Sequence, residues 1–219
     1  MGNEMVQLLV LAIIALFLVF RLKNLLGTRE GFEKSEPKEK EKNTTARKPL
    51  EVINGGLDTD IIDHVKSGSP AIDPLKQMKA VEKNFSVSDF LSGVREAYEM
   101  ILMAFERGDI SDVKAFLSQE VDDAFSEVIE QRKADGLEIE ASFVGIRELS
   151  LVQSEFDAST KDAQITVRFV SEITIAIKDA SGVIVEGSKN DIKQHNDIWT
   201  FSRIMGSGNP NWTLVATEG

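Results

Sequence analysis

The sequence predicts an α+β domain, helices packed on one face of a curved four-stranded antiparallel sheet, carried behind an N-terminal transmembrane helix and a flexible linker. Three observations predict it. Apolar residues recur at helical spacing from Leu75 to Ile129. From Ile139 onward they alternate with polar ones, the period of a half-buried strand. Ahead of both, residues 5–20 read MVQLLVLAIIALFLVF with no charge. Helices first and a meander afterwards is the α+β order.

The run from Met5 to Leu22 is 18 residues. As a helix it is roughly 27 Å long, enough to span a hydrocarbon core. A secretory signal would carry Lys or Arg before the apolar run and a small-x-small cleavage site after it. Here only Glu4 precedes it, and Phe20-Arg21-Leu22-Lys23 follows. We therefore expect residues 1–22 to be a single-pass anchor. Arg21, Lys23 and Arg29 lie just beyond the span and are expected to contact anionic lipid headgroups. The same bias puts the N-terminus outside and the rest of the chain in the cytoplasm. An Arg-rich, acid-poor transit peptide is missing, which favours a bacterial inner membrane.

Residues 23–70 read as a basic juxtamembrane segment and linker. From Glu33 to Lys48, EKSEPKEKEKNTTARK holds no aromatic or branched aliphatic residue and cannot build a core. Small apolar islands at 50–70, among them Ile61, Ile62 and Val65, predict at most marginal structure. Composition restricts the partners further. Residues 1–49 hold nine Lys+Arg against six Asp+Glu, and residues 50–219 hold sixteen against thirty. An acidic domain does not neutralise phosphates, so no direct nucleic-acid contact is expected. There is no cysteine, which excludes disulfides, thiolate catalysis and cysteine metal sites.

The folded domain is expected over 71–219. Asp73 reads as an N-cap with Pro74 at the first helical position, opening a short helix on Leu75, Met78 and Val81. The clearest helix follows Ser88: Phe90, Leu91, Val94, Ala97, Tyr98, Ile101, Leu102 and Phe105 form one stripe. Gly108 stops it. Asp109 opens a second short helix on Ile110, Val113, Phe116 and Leu117. Ser118 caps a third, carrying Val121, Phe125 and Ile129, that ends before Gly136. A first strand holds Ile139, Ala141 and Phe143, and a second runs from Ile165 to Ile177. Ser181-Gly182 turns into a third strand with Asp197, Trp199, Phe201 and Arg203, and Ser207-Gly208-Asn209-Pro210 leads to a last one, Trp212 to Thr217. A long sheet curves, and with helices across it encloses a cone. Phe143, Phe169, Trp199, Phe201 and Trp212 are available to line or fill it, with filling the expected outcome. Phe85, Tyr98 and these five are the candidate pocket or partner-surface residues.

No catalytic, metal or cofactor-binding residue is predicted. His64 lies in the linker, and His195 precedes the third strand as a solvated neighbour of Asp197, with no nucleophile nearby. Asp197 and Arg203 share the Trp199 parity and are expected to pair, orienting the last hairpin. Asp122-Asp123 reads as helix surface, and GSGNP at 206–210 as turn chemistry.

Four segments resemble, in order, bacterial relatives of mitochondrial inner-membrane translocase subunit 44: LFLVFRLKNLLGTREGFE (16–33), FLSGVREAYEMILMAFERGDI (90–110), ITVRFVSEI (165–173) and DIWTFSR…NPNWTLVATE (197–218). The resemblance implies a nuclear-transport-factor-2-like domain. It also implies a non-enzymatic adaptor in protein translocation or membrane-protein biogenesis, with a DnaK-type chaperone, translocon, ribosome or client protein as partner. This chain lacks the long N-terminal region through which the mitochondrial member engages its chaperone, so that role is not carried over. A lipid- or small-molecule-binding cone at the membrane is the alternative. An open cavity with inward polar groups would favour it, and a cone filled by Phe and Trp would oppose it.

Overall fold

A computed structural model of the chain describes residues 58–218. The expected anchor, its basic flank and most of the linker lie outside the described residues. Among the described residues no helix is long and apolar enough to cross a membrane.

Ordered structure begins ahead of Asp73-Pro74. Asp58 caps a single helical turn, α1 (Thr59–Ile62), by accepting from the Asp60 backbone N–H. Ile61 and Val65 behind it are buried in the core. Two apolar side chains make the marginal island fold here because Asp60 adds polar anchors. Its carboxylate accepts from the backbone N–H groups of Val87 (2.8 Å) and Ser88 (2.9 Å) and from the Ser86 hydroxyl. Lys79 closes the arrangement at 2.6 Å. An anion against the first N–H groups of a helix satisfies donors that the helix itself leaves open. Burial alone would raise the Asp60 carboxyl. Lys79, the two N–H groups and Ser86 outweigh it and hold the group at about 2.

Helix α2 (Ile72–Val81) starts one residue before Asp73, after Ala71, with no side-chain cap. Pro74 is tolerated because it sits in the first turn, where no intrahelical N–H is needed. Helix α3 (Val87–Arg107) opens at Ser86, ahead of Ser88, and the Ser86 hydroxyl accepts from Asp89 N. Its stripe buries Val87, Phe90, Leu91, Val94, Tyr98, Ile101 and Leu102. It ends at Gly108, left-handed at φ 73°, whose N–H reaches the carbonyls of Ala104 and Phe105. Gly108→Ala should lower stability by about 1 kcal/mol, the cost of a side chain in that conformation, read as a shifted urea midpoint. The expected helix at 110–117 is only a 3₁₀ turn, Lys114–Phe116, before Ser118 caps α4 (Gln119–Ala134) through Val121 N.

The sheet runs β1 (Glu138–Phe156), β2 (Asp162–Lys178), β3 (Ile184–Ile204) and β4 (Thr213–Glu218), antiparallel in that order. β1 is far longer than its readable alternation. Register shifts at 143/145, 146/148 and 151/153 reset the parity, so it does not read as one strand. In β3 the register against β2 jumps from Thr174↔Ile192 to Ile175↔Ser188, leaving residues 189–191 as a bulge. Gly187 follows at φ 74°, where a Cβ would fall 2.1 Å from the Ile175 carbonyl oxygen, so only glycine fits.

Tyr98 of α3 meets Phe143 on β1, Phe169 on β2 and Trp199 on β3, so three strands curl around one helix. The opposite face of the sheet is covered by ion pairs: Arg147–Glu172 (2.8 Å), Arg168–Glu148 (3.3 Å) and Glu140 between Lys178 and Lys189 (both 2.6 Å). Beneath them Val170 and Ala176 are buried although they face away from the helices.

Candidate functional site

The aromatic residues divide into two clusters, one around Tyr98 in the middle of α3 and one around Phe90 at its start. In the interior Tyr98 stacks on Phe169 at 4.2 Å and 9°, with Trp199 at 4.7 Å and Phe143 edge-on at 6.2 Å. Tyr98, Phe169 and Trp199 are buried. The space under the helices is thus occupied by side chains, as close packing requires.

Burying Tyr98 obliges its hydroxyl to find partners. It shares a 2.8 Å hydrogen bond with the Ser171 hydroxyl and donates to Asp197 at 2.5 Å. Burial raises the Tyr98 hydroxyl well above its ordinary value, and Asp197 adds to the shift. Burial likewise raises the Asp197 carboxyl, against the Tyr98 hydrogen bond and the nearby His195. Glu106, on the next turns of α3, is raised by burial too, opposed by Arg132 at 3.5 Å and by His195. Arg132 also lies over the Phe105 ring at 4.4 Å. The expected Asp197–Arg203 pair does not form. Six residues along a strand is about 20 Å, so Asp197 turns to Tyr98 and Arg203 to Glu82. His195 is not at a turn but inside β3, opposite Ser171.

The second cluster lines a groove between the start of α3 and the β3–β4 turn; Phe85, Phe90 and Phe201 are buried in its floor, and Trp212 is half-buried. Phe90 meets the Trp212 ring edge-on at 4.7 Å and Phe201 at 6.2 Å, while Phe85 lies 6.0 Å from Trp212. The groove has a volume of about 370 Å³, and Phe116, Val94 and Ala97 complete its apolar wall. Arg203 closes one end. It pairs with Glu82 at 2.8 Å, reaches the Asn209 carbonyl and lies over the Trp212 ring at 5.1 Å. Burial would raise Glu82, but the Gly206 N–H and Arg203 outweigh it and the carboxyl lies below its ordinary value. Asp89 and Asn84 line the rim.

Of the predicted residues, the structure brings Phe85, Phe201 and Trp212 together along this groove and gathers Tyr98, Phe143, Phe169 and Trp199 in the other cluster. Arg21, Lys23 and Arg29 lie outside the described residues. Phe90 and Phe116 read as core on the stripes; Phe90 is buried and Phe116 half-buried, and both line the groove. Glu82 carried no sequence signal, since its partner lies 121 residues away. Among the described residues no cluster of three or more His, Asp or Glu could hold a metal ion.

A family model described as Tim44-like domain matches residues 73–219. Mitochondrial import inner membrane translocase subunit TIM44-1 of Arabidopsis thaliana is 21% identical over 129 residues. That alignment takes in 59% of this chain but 27% of the plant protein, so the chain spans about a quarter of that relative's length. Among solved structures, the intermembrane space region of chloroplast protein ARC6 superposes with a TM-score of 0.41 at 10% identity, covering 58% of this chain and 94% of that one.

Proposed function

Because this chain belongs to the Tim44-like domain family, matched from residue 73 to residue 219, we propose that it is a non-enzymatic interaction module of protein translocation or membrane-protein biogenesis. It is tethered to a bacterial inner membrane by residues 1–22, with its domain on the cytoplasmic side. The family match carries this reading, together with the translocase relative. The tether keeps the domain at high effective concentration beside its partner without further contacts. Arg21, Lys23 and Arg29 hold the juxtamembrane segment against anionic lipid.

The contact surface is the groove of Phe85, Phe90 and Trp212. Trp212 is its half-buried aromatic, and such side chains supply contact area at small entropic cost and are enriched where proteins bind proteins. Tyr98, Ser171 and Asp197 satisfy one another in the interior, a structural use of groups that elsewhere serve as acids and bases. The partner is a protein, whether translocon subunit, DnaK-type chaperone, ribosome or client chain.

Photo-crosslinking probes replacing Phe85 or Trp212 in the full chain, in cells, test this. Capture of a translocation component, chaperone, ribosomal protein or nascent chain at the groove is expected. Capture of lipid or a small molecule alone at both positions would overturn the reading. The chain without residues 1–22 should also leave the membrane fraction.

A further inference from the structure

Besides the groove, the described residues leave one edge of the sheet unpaired. β3 is twenty-one residues long, and β4 is six. β4 pairs with Ile198–Ser202, so among the described residues the outer edge of β3 from Ile184 to Asp197 carries no strand. Among the described residues, the ladder to β2 is its only backbone pairing. Ile192, Lys193, Gln194 and Asn196 are exposed, Ile192 by 55%. An unpaired edge presents a row of N–H and C=O groups whose natural complement is another strand.

The edge is guarded along part of its length. The bulge at 189–191, with Lys189 in it, breaks the regular spacing of backbone groups, a usual device against unwanted pairing. Between that bulge and the first β3–β4 pair, Ile198↔Glu218, lies a regular run of six residues, Ile192–Asp197. It is about 20 Å long and continues the lane of β4. A second copy of β3 does not suit it. Its overhang would meet β4 at one end and the bulge at the other. A short extended segment does.

The two faces of the run differ. Trp199 and Phe201 are buried towards the helices, and the unbroken register puts Asp197, His195 and Lys193 on the same side. There the carboxylates of Asp197 and Glu106 gather near His195, with Arg132 as the cation that pairs with Glu106. Lys193 stands exposed at the solvent end. The opposite face presents Ile192, Gln194 and Asn196.

We propose that Ile192–Asp197 is a second binding site, which takes up a short extended polypeptide by strand addition and favours a basic residue on the helix-facing side of that segment. The site rests on the reading of the domain as a polypeptide-binding module and adds a binding mode to it.

Hydrogen–deuterium exchange of the full chain tests this with three synthetic ten-residue peptides. One alternates valine and lysine, one has the same composition interrupted by two prolines, and one replaces lysine by glutamate. At saturating concentration the first should slow exchange over 192–197 by on the order of tenfold. The proline peptide should leave it unchanged, and the glutamate peptide should bind more weakly. Unchanged exchange at millimolar peptide overturns the site, as does equal protection by the proline peptide. Protection around Phe85 and Trp212 in place of the edge also overturns it. If the edge stays unprotected while a translocation component is still captured at Trp212, the site fails and the function proposed above stands.

Discussion

Tyr98→Phe should cost about 2–3 kcal/mol at neutral pH, although it removes a single oxygen. The phenyl ring keeps its stack on Phe169 and its contacts with Trp199 and Phe143. What goes is the donor to Asp197 and the partner of Ser171. A hydrogen bond to a charged group contributes about 1.5–3 kcal/mol, and a buried polar group left without its partner costs the desolvation it can no longer offset. The effect carries a pH signature. Burial already raises the Asp197 carboxyl in the folded protein. A raised acid binds more protons folded than unfolded, so stability falls as pH rises from the unfolded value near 3.9 through the folded one. Tyr98 opposes that rise, and removing it widens the window. The stability gap between the two proteins should therefore be full at pH 7.5 and shrink towards pH 2.5, more than a unit below the unfolded value, where Asp197 is protonated folded and unfolded alike. Urea titrations at the two pH values, followed by tryptophan fluorescence, measure it. A gap independent of pH would mean that the hydroxyl does not serve the carboxylate.

Asp60→Asn is expected to lose about 2 kcal/mol. The charge that it removes receives two backbone N–H groups, a hydroxyl and Lys79. Its carboxyl is held at about 2, against 3.8 for a free aspartate. By linkage that depression contributes on the order of 2 kcal/mol. The sign is opposite to that of Asp197. A depressed acid stabilises fully above pH 4, and the contribution disappears as pH falls towards 2. The variant should therefore lack that acid step, and its urea midpoint at pH 7 should fall by about 1 M. A midpoint within 0.2 M of the parent protein, on roughly the same slope, would show that α1 is not clasped through this residue.

Part of this was legible in the sequence for physical reasons that can be named. The α3 stripe is one-sided because it faces a curled sheet, and one-sidedness is what periodicity detects. Ser118 and Gly108 are local signals, set by the backbone groups of one turn. The alternation of β2 survives because no bulge interrupts it before Thr174. Only the first residues of β1 alternate legibly, because three bulges swap its parity. The 58–65 segment looked too sparse to fold because its stability comes from Asp60 against Val87 and Ser88, a contact across 27 and 28 residues that no window contains. The groove was half legible. Its aromatic residues could be named, but that Trp212 stays half-buried depends on how the start of α3 meets the β3–β4 turn. The two ion pairs at Arg203 and Asp60 were illegible, since a charged residue carries no mark of its distant partner.

The meander has a consequence in time. Each strand of the sheet pairs with the one made just before it, so the hairpins close as soon as they are synthesised. Helix α3 has no such neighbour. Tyr98 must wait 73 residues for Ser171 and 99 for Asp197. At about 5–20 residues per second, that delay is roughly 5–20 s. Throughout it the longest apolar stripe of the domain is made but only partly covered, by β1 at Phe143, and the last full-length hairpin completes its shelter. A nascent chain arrested between residues 110 and 190 would therefore present the surface of α3 to whatever attends the ribosome exit.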